Sequence, residues 1–123
     1  MTVAAYTLAV VLDLFIVFIG ARFLFQARPA AAGYGAPADP GGDAGAYLTI
    51  KGVRDGTLGI LGLALLVFVG ARAEAWFMLC AAIIPFMDTA IVLRHGGTRA
   101  VAFGVHFATA VVVLISAGLL FAV

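Results

Sequence analysis

Charged residues are scarce in this sequence, and their scarcity argues against a soluble fold. Asp, Glu, Lys and Arg make up 11% of the 123 residues, whereas 65% of the residues are hydrophobic. A typical soluble domain has about 25% charged residues, so this chain has too few polar side chains to cover a globule in water. The net charge of +1 gives no electrostatic basis for binding nucleic acid. We therefore predict an integral membrane protein whose main partner is the lipid bilayer.

Cysteine is almost absent as well. The single residue, Cys80, excludes an internal disulfide, a CxxC redox pair and a thiolate-rich metal site within one chain. The sequence also lacks the HExxH zinc motif, a glycine-rich nucleotide loop, a serine nucleophile elbow and the CxxCH haem motif. We therefore predict no cofactor.

Long hydrophobic runs, in contrast, fill most of the chain. Four of them occur, at about residues 3–25, 48–69, 75–93 and 100–123. At about 1.5 Å per residue, runs of roughly 19 to 24 residues match a hydrocarbon core of about 30 Å. Helices pair every backbone group within such a segment. The sequence therefore predicts an all-α fold, an integral membrane four-helix antiparallel bundle that forms a single transmembrane domain.

The connections between the runs differ in length. Residues 70–74 and 95–98 form tight connections, which favour antiparallel neighbours. Residues 26–47 form a long polar-side loop that contains three of the four prolines and shows no helical period. Two interpretations of this loop stay open: a flexible linker, or an ordered cap folded over one end of the bundle.

Basic residues concentrate at the end of the bundle that carries the long loop. The positive-inside rule places such an end in the cytoplasm. We therefore predict a multi-pass protein of the cell inner (cytoplasmic) membrane, with the loop in the cytoplasm and both termini outside. The opposite end has only Arg72, whereas the loop end has Arg22, Arg28, Lys51, Arg54, Arg94 and Arg99.

Each predicted span contains ionisable residues, namely Asp13, the neighbours Arg54 and Asp55, Asp88 and His106. Such residues are costly in hydrocarbon and usually face the interior of a bundle. Counted from the loop-side ends of the spans, Asp55, Asp88 and His106 all lie about 8 to 10 Å deep. Asp13 lies deeper, at about 18 Å. The sequence therefore predicts a buried polar layer below the loop end of the bundle.

Two further features indicate how the spans pack. The block KGVRDG at residues 51–56 lies near the start of the second span, and Gly52, Gly56 and Gly59 form a stripe of small residues on that span. Such a stripe lets another helix approach closely. In the third span, Pro85 cannot donate a backbone hydrogen bond, so it predicts a kink.

Seven residues are candidates for a functional site. Acids and a histidine at one depth suit proton transfer, and an adjacent cation can steady a developing negative charge. The predicted catalytic residues are Asp55, Asp88 and His106. The predicted substrate-binding residues are Arg54, Asp13, Tyr34 and Lys51. For Asp13, the polar group on its own helix face that could serve as a partner is the Tyr6 hydroxyl.

Two other interpretations of the same residues stay open. Arg54 and Asp55 can neutralise each other, or pair with Asp88, and so only hold the helices together. Asp55, Asp88 and His106 also form a donor set that suits Fe, Mn or Zn. Arg54 and Lys51 would compete for those carboxylates, so we predict no metal site.

The order of several short motifs resembles that of one protein family. The motifs are Gly20-x-Arg22, Tyr34-Gly35-x-Pro37, Tyr47-Leu48-x-x-Lys51-Gly52-x-Arg54-Asp55, Ile84-Pro85-x-x-Asp88 and His106. Over nearly the whole chain, they are similar to the DUF4267 family of small bacterial four-span membrane proteins of unknown function. In general shape the chain also resembles the DoxX-like and anthrone-oxygenase-like small membrane proteins. The resemblance implies a four-helix membrane fold and these motif positions, and it implies no activity.

Three functions fit these observations. The first is a membrane enzyme, such as an isomerase, a cyclase or a cofactor-free oxygenase, that moves a proton on a lipophilic small molecule. The second is a structural or accessory membrane subunit whose charged residues lock the helices together. The third is a small proton-coupled transporter that works as a dimer, and therefore as a homo-oligomer, with Asp13 near the membrane midplane.

Overall fold

Five helices and the turns between them make up the structure, a computed structural model that describes all of residues 1–123. The helices are α1 (Thr2–Phe25), α2 (Ala27–Tyr34), α3 (Gly45–Val69), α4 (Ala71–Arg94) and α5 (Arg99–Phe121). All but α2 are long and apolar enough to cross a membrane. The predicted all-α membrane bundle is thus confirmed, and the chain is a multi-pass membrane protein.

The outer surface of the bundle is apolar, as contact with lipid requires. Large hydrophobic side chains are exposed along every span, for example Phe18, Ile60, Ile83 and Phe103. Several ionisable side chains are buried between the same helices. Soluble proteins rarely expose so large a continuous apolar surface. The distribution of side chains therefore agrees with the length and composition of the four spans.

Helices α1 and α3 pack closely because glycines line their contact. A methyl group added to Gly20 would lie 2.5 Å from the backbone nitrogen of Gly56, and one added to Gly59 would lie 2.5 Å from the carbonyl oxygen of Asp13. Side chains do not approach backbone atoms so closely, so glycine is required for this separation of the helix axes. The close approach predicted from the glycine stripe is confirmed.

Helices α4 and α5 form the second pair. At Ala82, α4 is interrupted between Ala71–Ala81 and Ile83–Arg94, three residues before Pro85, so the structure has the break that this proline predicts. A hydrophobic cluster joins this pair to α1 and α3 at the end away from α2. Its buried members are Ala5, Ala9, Leu66, Ala75, Met78, Ala82, Val113, Ala117 and Leu120.

Two of the spans contain a π-helical segment. Leu65–Val69 ends α3, and Ala102–Phe107 lies near the start of α5. A π-helical turn has one more residue per hydrogen-bonded ring than an α-turn, and it is frequent at functional sites. His106 lies in the second segment and is buried. The irregular turn therefore sets the direction in which α5 presents its histidine.

Helix α2 corrects the prediction for residues 26–47, where we expected no helical structure. Alanines, which favour helix formation, make up half of Ala27–Tyr34, and Pro29 lies in the first turn, where a missing N–H is tolerated. Gly35 ends the helix in the left-handed conformation, with φ of 89°, and its N–H donates to the carbonyl groups of Ala31 and Ala32.

Residues 26–47 pack against one end of the bundle. Of the two interpretations of this loop, the structure therefore agrees with the ordered cap and not with the flexible linker. The buried Ala30 and Ala31 pack against Phe23 of α1 and Leu48 of α3. Beyond α2, Arg28 and Asp39 form an exposed ion pair of 2.8 Å. The backbone N–H of Gly41 and the Arg28 guanidinium hold the pKa of the Asp39 carboxyl below its usual range.

Candidate functional site

A cavity of about 140 Å³ lies between the α1–α3 pair and the α4–α5 pair. Most of its wall is apolar, and its volume is close to that of a protein cavity of ~150 Å³ that binds benzene. Each of the five helices contributes one ionisable side chain to the wall. These are Asp13, Tyr34, Asp55, Asp88 and His106. The helices therefore bring together five of the seven predicted site residues.

Tyr34, the last residue of α2, is the centre of the polar contacts at the loop end of this cavity. Its hydroxyl donates a hydrogen bond to Asp88 Oδ2. Its main-chain carbonyl lies 2.6 Å from His106 Nε2, and its ring centroid lies 4.2 Å from Lys51 Nζ. We call Tyr34, Lys51, Asp55, Asp88 and His106 the cap cluster. Through Tyr34, the cap cluster ties α2 to α3, α4 and α5.

The environment of Tyr34 keeps its hydroxyl protonated. Burial raises the pKa of this hydroxyl above its usual value, and the carboxylates of Asp88 and Asp55 raise it further. The ring also meets His106 and Phe23 edge to face, with centroids 4.2 Å and 5.6 Å away. Such aromatic contacts fix the orientation of the ring. Tyr34 is therefore a positioned hydrogen-bond donor near neutral pH.

The contact with Tyr34 also fixes the protonation of His106. A carbonyl oxygen only accepts hydrogen bonds, so Nε2 must carry the proton and donate it. In the neutral ring, Nδ1 then has a free lone pair, and it makes no hydrogen bond within the protein. Nδ1 is therefore the atom of this ring that can accept a proton.

Asp55 is neutralised by Lys51, one helical turn earlier, with Nζ 2.8 Å from Oδ2. The ammonium group occupies the place on Asp55 that a metal ion would need. Asp88 in turn accepts from the Tyr34 hydroxyl. Asp55, Asp88 and His106 are the metal donors considered in the sequence analysis, and each has a partner within the chain.

A second cavity, of about 180 Å³, lies on the loop side of Tyr34. Lys51, Phe23 and Leu48 contribute to its wall. Tyr34 and Asp88 line both cavities, so their hydrogen-bonded side chains form part of the boundary between them. The cap cluster therefore closes the inner cavity toward the loop.

Arg54 is the predicted site residue that the structure does not bring to the others. Its side chain is exposed, it lines neither cavity and it forms no ion pair. Consecutive residues point about 100° apart on a helix, and Asp55 takes the inward position here. The suggested Arg54–Asp55 pairing is wrong, because Lys51 is the partner of Asp55. The position of Arg54 allows its charge to reach the headgroup region of a bilayer.

Glu74 is a buried acid that the sequence analysis did not identify. We assigned it to the tight connection 70–74, but α4 begins at Ala71 and places Glu74 in its first turn, where it is 0% exposed. Its carboxyl group faces that of Asp13, which is 2% exposed. The suggested partner of Asp13, Tyr6, is exposed and makes no hydrogen bond with it. We call Asp13 and Glu74 the carboxyl pair.

The inner cavity borders the lipid-facing surface of the bundle. Phe15 of α1, Ile84 of α4 and Val105 of α5 line the cavity, and all three are also exposed on the outer surface. The cavity therefore has apolar side chains on the side that faces the bilayer.

The four spans and this internal polar site define a small multi-pass membrane protein. More particularly, the chain belongs to the family described as Domain of unknown function (DUF4267), whose model matches residues 14–120. The family resemblance drawn from the motifs is thus confirmed, and the matched range contains the whole cap cluster. Searches of curated proteins and of solved structures gave no match.

Proposed function

We propose that this protein is a membrane enzyme that moves a proton on a lipophilic small molecule held in the inner cavity. The observation that carries the proposal is the cavity itself. Its wall is mostly apolar, it borders the lipid-facing surface, and Asp55, Asp88 and His106 open into it. An apolar pocket with a few convergent polar groups is typical of a small-molecule site.

Proton transfer between two atoms of one molecule is the chemistry that these groups support best. His106 Nδ1 takes a proton from the substrate and returns it at a second position, which isomerises or cyclises the molecule without an oxidant. The main-chain carbonyl and the ring of Tyr34 hold the ring of His106 in place, and the hydrogen bond to Asp88 fixes the Tyr34 side chain in turn. Arg54, which we predicted to bind substrate, takes no part in this scheme because it lies outside the cavity.

A structural role is the second candidate, and a specific observation favours it. Within the cap cluster, Asp55, Asp88 and the Nε2 atom of His106 all have partners inside the chain. Contacts of this kind would hold α2 on the bundle even with no ligand in the cavity. Under this hypothesis, removal of a partner lowers stability and abolishes no reaction.

One experiment separates the two candidates. Lipophilic molecules that co-purify with the protein are extracted, identified by mass spectrometry, and incubated with fresh protein in heavy water. We expect deuterium to enter carbon positions of the ligand with the wild-type protein. We expect none with His106→Gln or Asp88→Asn. His95→Gln is the matched control, because His95 is exposed in the α4–α5 connection.

Two results would contradict the enzyme. One is a purified protein with no bound lipophile and no deuterium exchange. The other is full exchange in both His106→Gln and Asp88→Asn. If these variants instead melt at a lower temperature and no exchange is ever seen, the structural role is supported.

We propose that the protein lies in the cell inner (cytoplasmic) membrane, with the α2 end in the cytoplasm and both termini outside, since the basic residues concentrate at the α2 end. Labelling of single cysteines introduced near Gly41 and at the N-terminus with a membrane-impermeant reagent tests this orientation. The dimeric proton-coupled transporter stays a prediction, and pH-driven flux in proteoliposomes that Asp13→Asn abolishes would support it.

A further inference from the structure

We propose that Asp13 and Glu74 form a proton-binding site, in which the two carboxyl groups hold one proton between them and exchange it with the cavity through Asp13. The proposal concerns the carboxyl pair alone. It does not depend on a substrate in the cavity, and its test is separate from the test of the proposed enzyme.

The geometry of the pair points to a proton. Both side chains are almost fully buried, and their carboxyl groups face each other between α1 and α4. No donor of the protein reaches Asp13 Oδ2 or either oxygen of Glu74. Two carboxylates have only acceptor atoms, so a hydrogen bond between them requires a proton on one of them. A proton on one of the two carboxyl groups would therefore supply the hydrogen bond between Asp13 and Glu74.

The packing around the pair leaves the carboxyl groups little freedom to move apart. Gly62 of α3 lies directly against the Asp13 carboxylate, and a methyl group at this glycine would overlap it. The main-chain carbonyl of Asp13 lies as closely against Gly59. The close α1–α3 contact thus restricts the Asp13 side chain to its position beside Glu74.

No cation of the chain compensates the pair. On α4, Arg72 is exposed and lies over the Phe121 ring at 5.8 Å, and it forms no ion pair. On α3, the residue against Asp13 is a glycine. On α5, the buried Ser116 hydroxyl has no partner and carries no charge. Two adjacent carboxylates without a cation are strongly unfavourable in an apolar interior, so one of them is protonated.

The ionisable groups of the cavity are engaged elsewhere. Lys51 pairs with Asp55, the Tyr34 hydroxyl donates to Asp88, and His106 Nε2 contacts the carbonyl of Tyr34. These groups lie at the cap end of the cavity, and none of them donates a hydrogen bond to the carboxyl pair. Among the two acids of the pair, only Asp13 lines the cavity. Exchange with water or with a ligand in the cavity therefore passes through Asp13.

Infrared spectroscopy tests the proposal on the unmodified sequence. Glu74 is the only glutamate in the chain, so ¹³C-glutamate labelling marks this one side chain without a mutation. At neutral pH we expect the carbonyl band of a protonated carboxyl group in the reconstituted protein. The band should move with ¹³C-glutamate or with ¹³C-aspartate labelling, and it should shift in heavy water because the proton exchanges.

Variants assign the band to the pair. Asp13→Asn/Glu74→Gln should lose it, whereas Asp88→Asn, which alters only the cap cluster, should keep it. If the double variant does not fold, a ¹³C-glutamate shift of the wild-type band, or a ¹³C-aspartate shift that persists in Asp88→Asn, still decides the question. The single Glu74→Gln variant should also show a flatter decline of melting temperature toward alkaline pH than the wild type. Deprotonation of the wild-type pair would place two carboxylates side by side in an apolar site.

Three results would overturn the proposal. The first is the absence of any protonated-carboxyl band in the wild-type protein. The second is a band that Asp88→Asn removes, because it would assign the proton to the cap cluster. The third is loss of the band when sodium replaces choline at constant pH, because it would show that the pair binds a cation in place of the proton.

Discussion

The cap cluster and the carboxyl pair are two buried polar groups in the same small bundle, and they are neutralised in different ways. In the cap cluster, Asp55 has the ammonium of Lys51, and Asp88 has the hydroxyl of Tyr34. In the carboxyl pair, neither Glu74 oxygen has any donor. Partners supplied by the chain compensate the first group, whereas a proton taken from solvent compensates the second.

The difference shows what each group can do. A carboxylate that contacts an ammonium or a hydroxyl group is stabilised in its charged form. Separation of the helices would leave this buried charge without a partner, so the contact holds the helices together. A carboxyl group that depends on a proton responds to pH and to whatever reaches the cavity. The two carboxylates of the cap cluster are therefore held in fixed contacts, whereas the carboxyl pair depends on a proton that can be exchanged.

The largest effect is expected from Gly62→Ala, which breaks the carboxyl pair. A methyl group at this position overlaps the Asp13 carboxylate, so the side chain must move against Glu74 or the α1–α3 contact must open. We expect a loss of about 3 kcal/mol, at the upper end of overpacking costs, measured by thermal unfolding in detergent. Gly118→Ala is the matched control, because nothing lies within 4 Å of a methyl group there. Equal stability of the two variants would contradict the described contact.

A somewhat smaller effect is expected from Lys51→Met, which leaves Asp55 without its cation. Loss of one partner of a buried ion pair costs about 3 to 5 kcal/mol, and partial exposure of Lys51 lowers the expected value to about 2 kcal/mol. The double variant Lys51→Met/Asp55→Leu should recover most of this loss, since it removes the stranded charge as well. A double variant that is less stable than Lys51→Met would show that the ion pair itself stabilises the fold.

Tyr34→Phe should cost about 2 kcal/mol, the value of a hydrogen bond to a charged acceptor. Because the pKa of the Tyr34 hydroxyl is raised in the folded protein, its contribution is fully present below about pH 10, the ordinary tyrosine pKa. The contribution is lost only as the pH rises through the folded-state pKa. Phenolate absorbance up to about pH 10 should therefore be identical in the variant and the wild type.

The matched control for Tyr34→Phe is Tyr47→Phe, since Tyr47 is exposed near the start of α3. We expect no change in melting temperature from the control. A destabilisation of similar size in both variants would mean that the Tyr34–Asp88 hydrogen bond does not stabilise the cap.

Glu74→Gln should have the smallest effect of the four at neutral pH, within about 1 kcal/mol of the wild type. The amide has the shape of a protonated carboxyl group and donates to Asp13 in its place, so the exchange is nearly neutral. Asp55→Asn, in contrast, removes a charge that Lys51 compensates and should destabilise more. If Glu74→Gln proves the more damaging of the two, the carboxyl pair is held by a charge and not by a proton.

The fold could be predicted from the sequence because its signals are local. Span length, the glycines of α3 and Pro85 each act within one helix or at one contact, and the structure has the feature that each predicts. The depth count that placed Asp55, Asp88 and His106 at one level likewise needs only helix geometry, and these three residues line one cavity. Their catalytic role stays a prediction.

What sequence analysis missed depends on contacts between distant segments. Glu74 lies so near the end of its span that it resembles a connection residue, and its burial follows from the packing of α4 on α5 and from its position beside Asp13. Asp55 faces inward and Arg54 outward, and the partner of Asp55 is Lys51, one helical turn earlier. Helix α2 is too short for its period to be visible.

The division into two helix pairs gives the polar residues a part in assembly. Helices α1, α2 and α3 contribute Asp13, Tyr34, Lys51 and Asp55, whereas α4 and α5 contribute Glu74, Asp88 and His106. The Lys51–Asp55 pair and the contact of Lys51 with the Tyr34 ring form within the first half. Tyr34–Asp88, Tyr34–His106 and Asp13–Glu74 join the two halves, so Asp13, Glu74 and Asp88 obtain their partners only when the halves meet. A shift of one helical turn between the halves would leave these acids without partners in an apolar environment, so the buried acids favour a single register of the two halves.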